Sequence, residues 1–335
     1  MSATVTEASP ETGAAPRARR AVIGRHAWQA IGPIVIFIAM LVVVAILTPA
    51  FIGGGGLAII AASSAPILLL ALGQSMVLNV GSIDLSNAAI ALLGAILLAL
   101  ALGPLAAGAP IVILLVTTLF GAVNGLLVAY FQVPSFALTL GTLGIFQAAS
   151  LVTSGRTTVY VSNNGQIVST LYQSGIANVP ITFWIAVVFA VLLWILIRYT
   201  RIGRGLTAIG KNESAAIFSA VRTRALKVLA FALSGFAAGI AGIAIIAQAG
   251  SASPTGLGSD LLLPAIAAAL IGGTSISGGV VNPLTVIFGA LTVALVPIAS
   301  SAIGIPTQAQ SLVYGVVIIA IVALTMSRNK SSIVK

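Results

Sequence analysis

Cysteine is absent, histidine occurs once, and only five of 335 residues are acidic. The first absence excludes disulfides, thiolate metal sites and a cysteine nucleophile. The single histidine, His26, sits in a basic flank ahead of the first apolar run, a juxtamembrane setting that offers no partners for catalysis or metal binding. The five acids, Glu7, Glu11, Asp84, Glu213 and Asp260, are too scattered to build a membrane-embedded enzyme site, and no catalytic or metal residues are expected. Charged residues make up 6% of the chain, against about 25% in soluble domains. Between Arg25 and Arg198 the one ionisable cation is Arg156 and the one carboxylate is Asp84. A water-soluble domain of that length needs a charged surface, so the solvent around this chain is lipid.

What remains is 59% hydrophobic, with 35 glycines and a mean hydropathy of +1.18. The cations are bunched. Arg17, Arg19, Arg20 and Arg25 precede the first apolar run, and Arg328, Lys330 and Lys335 close the chain. Between them Arg198, Arg201, Arg204, Lys211, Arg222, Arg224 and Lys227 crowd one central loop. A net charge of +10 would suggest nucleic acid in a soluble protein. Beside apolar spans it points instead to anionic lipid headgroups and to cytoplasmic orientation of the basic loops, so no nucleic-acid partner is expected.

A helix needs about 20 apolar residues to cross the hydrocarbon. Gly/Pro clusters and polar turns divide the chain into about ten such pieces, near 31–49, 57–80, 86–103, 109–131, 136–154, 180–198, 226–249, 260–279, 284–303 and 308–326. The expected fold is all-α and polytopic, with broken or re-entrant segments. With the N-terminus inside, six crossings return the chain to the cytoplasm at the seven-cation loop, and four more leave Arg328 inside. The domain plan is a disordered basic tail over 1–28, a membrane domain over 29–327 with a cytoplasmic loop at 199–225, and a short tail over 328–335. Spans 2–5 and spans 7–10 start from opposite sides on this count, which suggests an inverted repeat. Each block carries a Gly/Ser-rich interruption, at residues 80–86 and at residues 272–279.

Asp84 lies in Gly81-Ser-Ile-Asp-Leu-Ser-Asn87. Gly81 permits a backbone break, and Asp84 or Ser86 can accept from the free amides that begin the next helix. An ion-coupling carboxylate and a polar contact to a transported solute are the other readings of this acid. Gly205 to Lys211 fits G-x-x-x-x-G-K, but Asn212 replaces the Ser or Thr that would hold magnesium, and no strand precedes it. A short helix fits this stretch better. Asn212 suits an N-cap, Glu213 complements the helix dipole, and Ala215 and Ala216 present a smooth face for docking.

These residues resemble a known family. Gly81-Ser-Ile-Asp-Leu-Ser86 is similar to the GGIDLS element of ribose-type sugar permeases of ATP-binding-cassette importers. Thr200-Arg-Ile-Gly-Arg204, Ala208-Ile-Gly210 and Asn212-Glu-Ser-Ala-Ala216 resemble that family's cytoplasmic coupling segment. Ala267-Ala-Ala-Leu-Ile-Gly-Gly-Thr-Ser275 with Gly278-Gly279 resembles its late glycine motif, and Asn124-Gly125, Val133-Pro134 and Thr139-Leu-Gly141 also fit. The likeness runs in order from about residue 32 to 326. Ser82 replaces the second glycine of the first element, Ala220 stands where the coupling helix usually ends in glycine, and Leu262 and Pro264 replace a Glu and an Asp, with Asp260 nearby.

The resemblance implies a multi-pass subunit of the inner or plasma membrane, both termini cytoplasmic, forming the pathway for a monosaccharide such as ribose. It implies a cytoplasmic ATPase partner, an extracytoplasmic solute-binding protein and a second permease copy, most simply a homodimer in membrane lipid. No cofactor is expected on this chain, ATP and magnesium being used by the partner. Arg204, Gly210, Asn212, Glu213, Ala215 and Ala216 would carry coupling to the ATPase. Gln74, Asn79, Asp84, Asn87, Asn124 and Gln147 are candidates for the substrate path, because uncharged amides suit a hydroxyl-rich solute. The same amides could serve as interhelical hydrogen bonds. The loop from Ser154 to Val179, with Arg156, Tyr160, Asn163, Asn164 and Tyr172, is a candidate docking surface for the binding protein. A permease for a nucleoside or a branched-chain amino acid, and an ion-coupled secondary transporter, remain as alternatives.

Overall fold

A computed structural model describes residues 16–52, 55–255, 260–306 and 309–325. The chain is helical almost throughout: α1 (Pro16–Leu47), α2 (Pro49–Ile52), α3 (Gly56–Asn79), α4 (Asn87–Leu105), α5 (Ala109–Phe131), α6 (Ser135–Thr153) and α7 (Gln166–Gln173). Then follow α8 (Ile181–Tyr199), α9 (Arg201–Lys211), α10 (Glu213–Phe218), α11 (Thr223–Ala249), α12 (Leu262–Ile271), α13 (Pro283–Ala302) and α14 (Gln310–Thr325). The tail expected over 1–28 is helical from Pro16, where Ala and Arg are good helix formers, and residues 1–15 and 326–335 lie outside the described residues.

Among the described residues six helical stretches are long and apolar enough to cross a bilayer. One of them, Asn87–Phe131, is a hairpin rather than a single span. A methyl built on Gly94 of α4 would lie 2.9 Å from Thr117 of α5, and Asn124 bonds Ser86, so the two helices run antiparallel about a turn at Ala106–Gly108. Two shorter apolar helices, Ile31–Leu47 and α12, accompany the six. This is the all-α polytopic fold expected from the charge distribution. α12 has only ten residues, half the length that a hydrocarbon crossing takes.

α11 runs through the middle of the bundle, with α3, α4 and α5 packed around it, and small residues let the backbones close in. A methyl on Gly235 would sit 3.0 Å from Gly121 Cα on α5, and one on Gly73 of α3 would sit 3.0 Å from Ser234 Cα. Lipid tails are as apolar as leucine, so such close backbone contact, more than hydrophobic burial, holds spans together.

The connections collect at two ends. At one end β1 (Val159–Tyr160) pairs antiparallel with β4 (Ser251–Ala252), and Asn164 Nδ2 donates to the Leu102 carbonyl over 2.9 Å. A second ribbon, β2 (Gly175–Ile176) with β3 (Val179–Pro180), leads into α8. The other end carries α9, α10 and the seven-cation loop. Both Gly/Ser-rich interruptions also lie there, since the Gly279 amide donates to the Asn79 carbonyl over 3.0 Å. The two interruptions are therefore neighbours in space.

Candidate functional site

The break after α3 places Asp84 in the dry interior. Gly81, with φ +72°, turns the chain, and Ile83 to Leu85 then run without backbone–backbone hydrogen bonds before α4 begins. Free backbone groups at that depth need partners from inside the protein. The first turn of α6 supplies them. Ser135 Oγ accepts from the Ile83 amide, and Thr139 Oγ1 accepts from the Leu85 amide, each over 3.0 Å.

Asp84 is fully buried. Its Oδ1 accepts from the Ser86 amide (2.9 Å) and the Ser86 hydroxyl (2.6 Å), and its Oδ2 accepts from the Ser234 hydroxyl on α11 (2.8 Å). Ser86 Oγ in turn accepts from Asn124 Nδ2 on α5 (2.9 Å). One carboxyl group thus ties the entrance of α4 to α5 and α11. Asp84 holds the Ser86 amide through a turn of its own, and Ser86, at the N-cap, makes no side-chain cap bond. No cation pairs with Asp84 among the described residues, where the one salt bridge is Lys227 to Glu213.

The other path candidates divide by location. Asn87 is buried and donates to the Leu70 carbonyl over 3.1 Å, while its Oδ1 has no partner. Asn79 Nδ2 reaches Thr207 Oγ1 of α9 at 3.4 Å, and Gln74 is buried with both amide atoms unpartnered. Gln147 is exposed on α6, the least buried of the six long stretches. The structure brings Asp84, Ser86 and Asn124 together, sets Gln74 and Asn79 on α3 with Asn87 at the start of α4 bonded to α3, and keeps Gln147 apart. Ser234 escaped the sequence reading. It is a lone serine in an apolar helix, and nothing local distinguishes it from a packing residue.

At the basic end Thr200 Oγ1 caps α9 by accepting from the Gly203 amide, and Asn212 Oδ1 caps α10 by accepting from the Ala215 amide, each over 3.0 Å. Glu213, in the first turn of α10, also meets Lys227 of α11 at 2.6 Å. Arg204 is exposed. Ala216, expected on a docking face, points inward. It is 3% exposed and packs with Val80, Leu206, Ile209 and Ala230, because the short helix must bury one face to stay attached. Ser214, Ala215, Ile217 and Phe218 face outward, and Phe218 is 91% exposed. Gly210 lies beneath both interruptions, against the Asn79 carbonyl and the Gly279 amide. Arg224 stands over the Tyr130 ring, 5.5 Å from its centroid, and joins the start of α11 to the end of α5.

Residues 56–322 match the family described as branched-chain amino acid transport system / permease component. The chain belongs to this permease family. Relatives include a ribose import permease of Haemophilus influenzae, 32% identical over 298 residues, covering 85% of this chain and 90% of the relative. The ribose import permease of Bacillus subtilis is 32% identical over 312 residues, 91% and 94% of the two chains. The D-allose transport system permease of Escherichia coli is 34% identical over 266 residues, 78% and 80%. No solved structure matches. The matched span runs from the start of α3 through the Asp84 knot and the α9–α10 segment to the greater part of α14. Among its described residues the permease holds no grouping of His, Asp or Glu that could bind a metal.

Proposed function

We propose that the chain is the membrane-spanning subunit of an ATP-binding-cassette importer for a monosaccharide, the same class as the ribose and allose permeases it resembles. The observation that carries this is the α9–α10 segment. It presents exposed Ile217 and Phe218 at the water-facing, cation-rich end, while its inner face is buried against α3 and α11. An apolar tip in water calls for a partner, and a cytoplasmic ATPase with an apolar socket and an acidic rim fits it. The nucleotide and magnesium belong to that partner, and an extracytoplasmic binding protein would dock at the opposite end, over the 154–180 loop.

The crossing count that fits is ten, with α1, α12 and α14 added to the long stretches and the hairpin counted twice. Both termini are then cytoplasmic, and the seven-cation loop obeys the positive-inside rule. The pathway lies on the open face of α6. A methyl added at Gly141 or Gly144 would meet nothing within 4 Å there, and Gln147 is exposed on the same helix. A second copy of the chain facing α6 would enclose it. The description of the family makes a branched-chain amino acid the second reading. Reconstituted vesicles containing the permease, ATPase and binding protein should accumulate labelled ribose or a related sugar only with ATP, and a proton uncoupler should have no effect. ATP-driven uptake of leucine without any sugar uptake would favour the second reading. Uptake by the permease alone under a pH gradient would overturn both.

A further inference from the structure

Glycine in a helix interior is about 1 kcal/mol less favourable than alanine, so a helical glycine that persists usually marks a close approach. Gly210, the penultimate residue of α9, meets that description at a point where three segments converge. A methyl on Gly210 would collide with the carbonyl oxygen of Asn79 and the amide of Gly279. A methyl on Gly278 would lie 2.9 Å from Gly210 Cα and 3.0 Å from Gly81 Cα, and one on Gly279 would lie 2.9 Å from the Lys211 amide. Gly81, Gly278 and Gly279 all have positive φ, at +72°, +87° and +71°. Across the joint the Gly279 amide donates to the Asn79 carbonyl over 3.0 Å. The end of α9, the break after α3 and the break after α12 therefore touch backbone to backbone at Gly210, Asn79 and Gly278, while Gly279 also meets the Lys211 side chain.

We infer that Gly210 is a positioning residue for transport: through it, displacement of the α9–α10 segment passes undamped to both backbone breaks at once. Flexible side chains absorb small shifts by changing rotamer, whereas three abutting backbones cannot. The break after α3 leads directly into the Asp84 knot and the entrance of α4. The break after α12 leads into α13. A push at Phe218 thus reaches two separate parts of the bundle through one joint. The inference rests on the ATP-coupled reading above.

The test uses the complete complex of permease, ATPase and binding protein. Gly210→Ala should insert in the membrane, and its ATPase co-purification and ATP hydrolysis are measured beside those of the parent. Sugar taken up per ATP hydrolysed should fall at least tenfold. Gly103→Ala, at a glycine with open space around it, is the control and should keep the parental ratio. Thr207→Ala, which removes only the 3.4 Å side-chain bond to Asn79, should lower the ratio less than twofold. A parental ratio in Gly210→Ala overturns the inference, as does equal uncoupling by Thr207→Ala. Hydrogen exchange on the unmutated complex gives a readout that does not depend on the variant folding. Binding of ATP to the partner should change exchange over 204–212 and over 272–282 together, and a change in one segment alone overturns the inference. If the unmutated complex shows no ATP-dependent uptake, the importer reading fails instead, a result distinguishable from an altered ratio.

Discussion

Asp84→Asn and Asp84→Leu, compared side by side, ask what the one buried acid of the first six spans does. Asparagine is nearly isosteric. Its Oδ1 can keep the bonds from the Ser86 amide and hydroxyl, at 2.9 and 2.6 Å in the parent. Its amide nitrogen takes the place of Oδ2, 2.8 Å from Ser234 Oγ. A serine hydroxyl accepts as readily as it donates, so that link reverses rather than breaks. The loss is the charge assistance of these bonds, about 1 kcal/mol. Leucine removes every acceptor. The Ser86 amide is then stranded in a dry site, which costs about 1–3 kcal/mol, and the added methyl groups must be fitted into a filled core, about 1–3 kcal/mol more.

The assay pairs membrane yield and thermal midpoint in detergent with ATP-driven uptake in vesicles. Asp84→Asn should retain most uptake with a slightly lowered midpoint, and Asp84→Leu should lose yield and midpoint together. The refuting result is an Asp84→Asn variant that assembles with parental stability yet transports nothing. It would show that the acid acts through its charge or its proton, as an ion-coupling residue would.

Ala216→Trp should lower the yield and thermal midpoint of the permease itself, because position 216 is enclosed by Val80, Leu206, Ile209 and Ala230, and overpacking costs about 1–3 kcal/mol. Phe218→Ala should leave the midpoint unchanged and weaken co-purification with the ATPase several-fold, since the ring is 91% exposed; undiminished co-purification would remove the apolar tip from the interface. Ala220→Gly should raise the thermal midpoint, since Ala220 holds φ +58°, where a non-glycine residue is strained by about 1–2 kcal/mol; an unchanged or lowered midpoint would show that no such strain is stored.

The parts of this protein that could be read from its sequence are those where one residue type has one physical meaning. Long uncharged runs mean membrane-spanning helices, and Asn212 ahead of Glu213 means a helix start, confirmed by its bond to the Ala215 amide. Faces of short helices were harder. In α10 six residues carry too little pattern to tell the buried Ala216 from the exposed Ala215. The inner polar contacts were harder still, because a bond such as Ser234 to Asp84 joins positions 150 apart and leaves no local trace.

Glycine shows most clearly where that limit lies. From the sequence, Gly81, Gly210 and the Gly278–Gly279 pair were three separate motifs, with one assigned to a break, one to a coupling segment and one to a late loop. Their meanings depend on position in the fold: Gly210 and Gly278 lack a side chain because another backbone occupies that space, Gly279 is crowded by Lys211, and Gly81 holds a positive φ that turns the chain. Spacing along the chain cannot express this. A membrane bundle gains little from hydrophobic burial between its helices and much from close approach. The residues that decide how its parts move together are therefore the ones with no side chain to read, and packing around an absent Cβ is the observation that finds them.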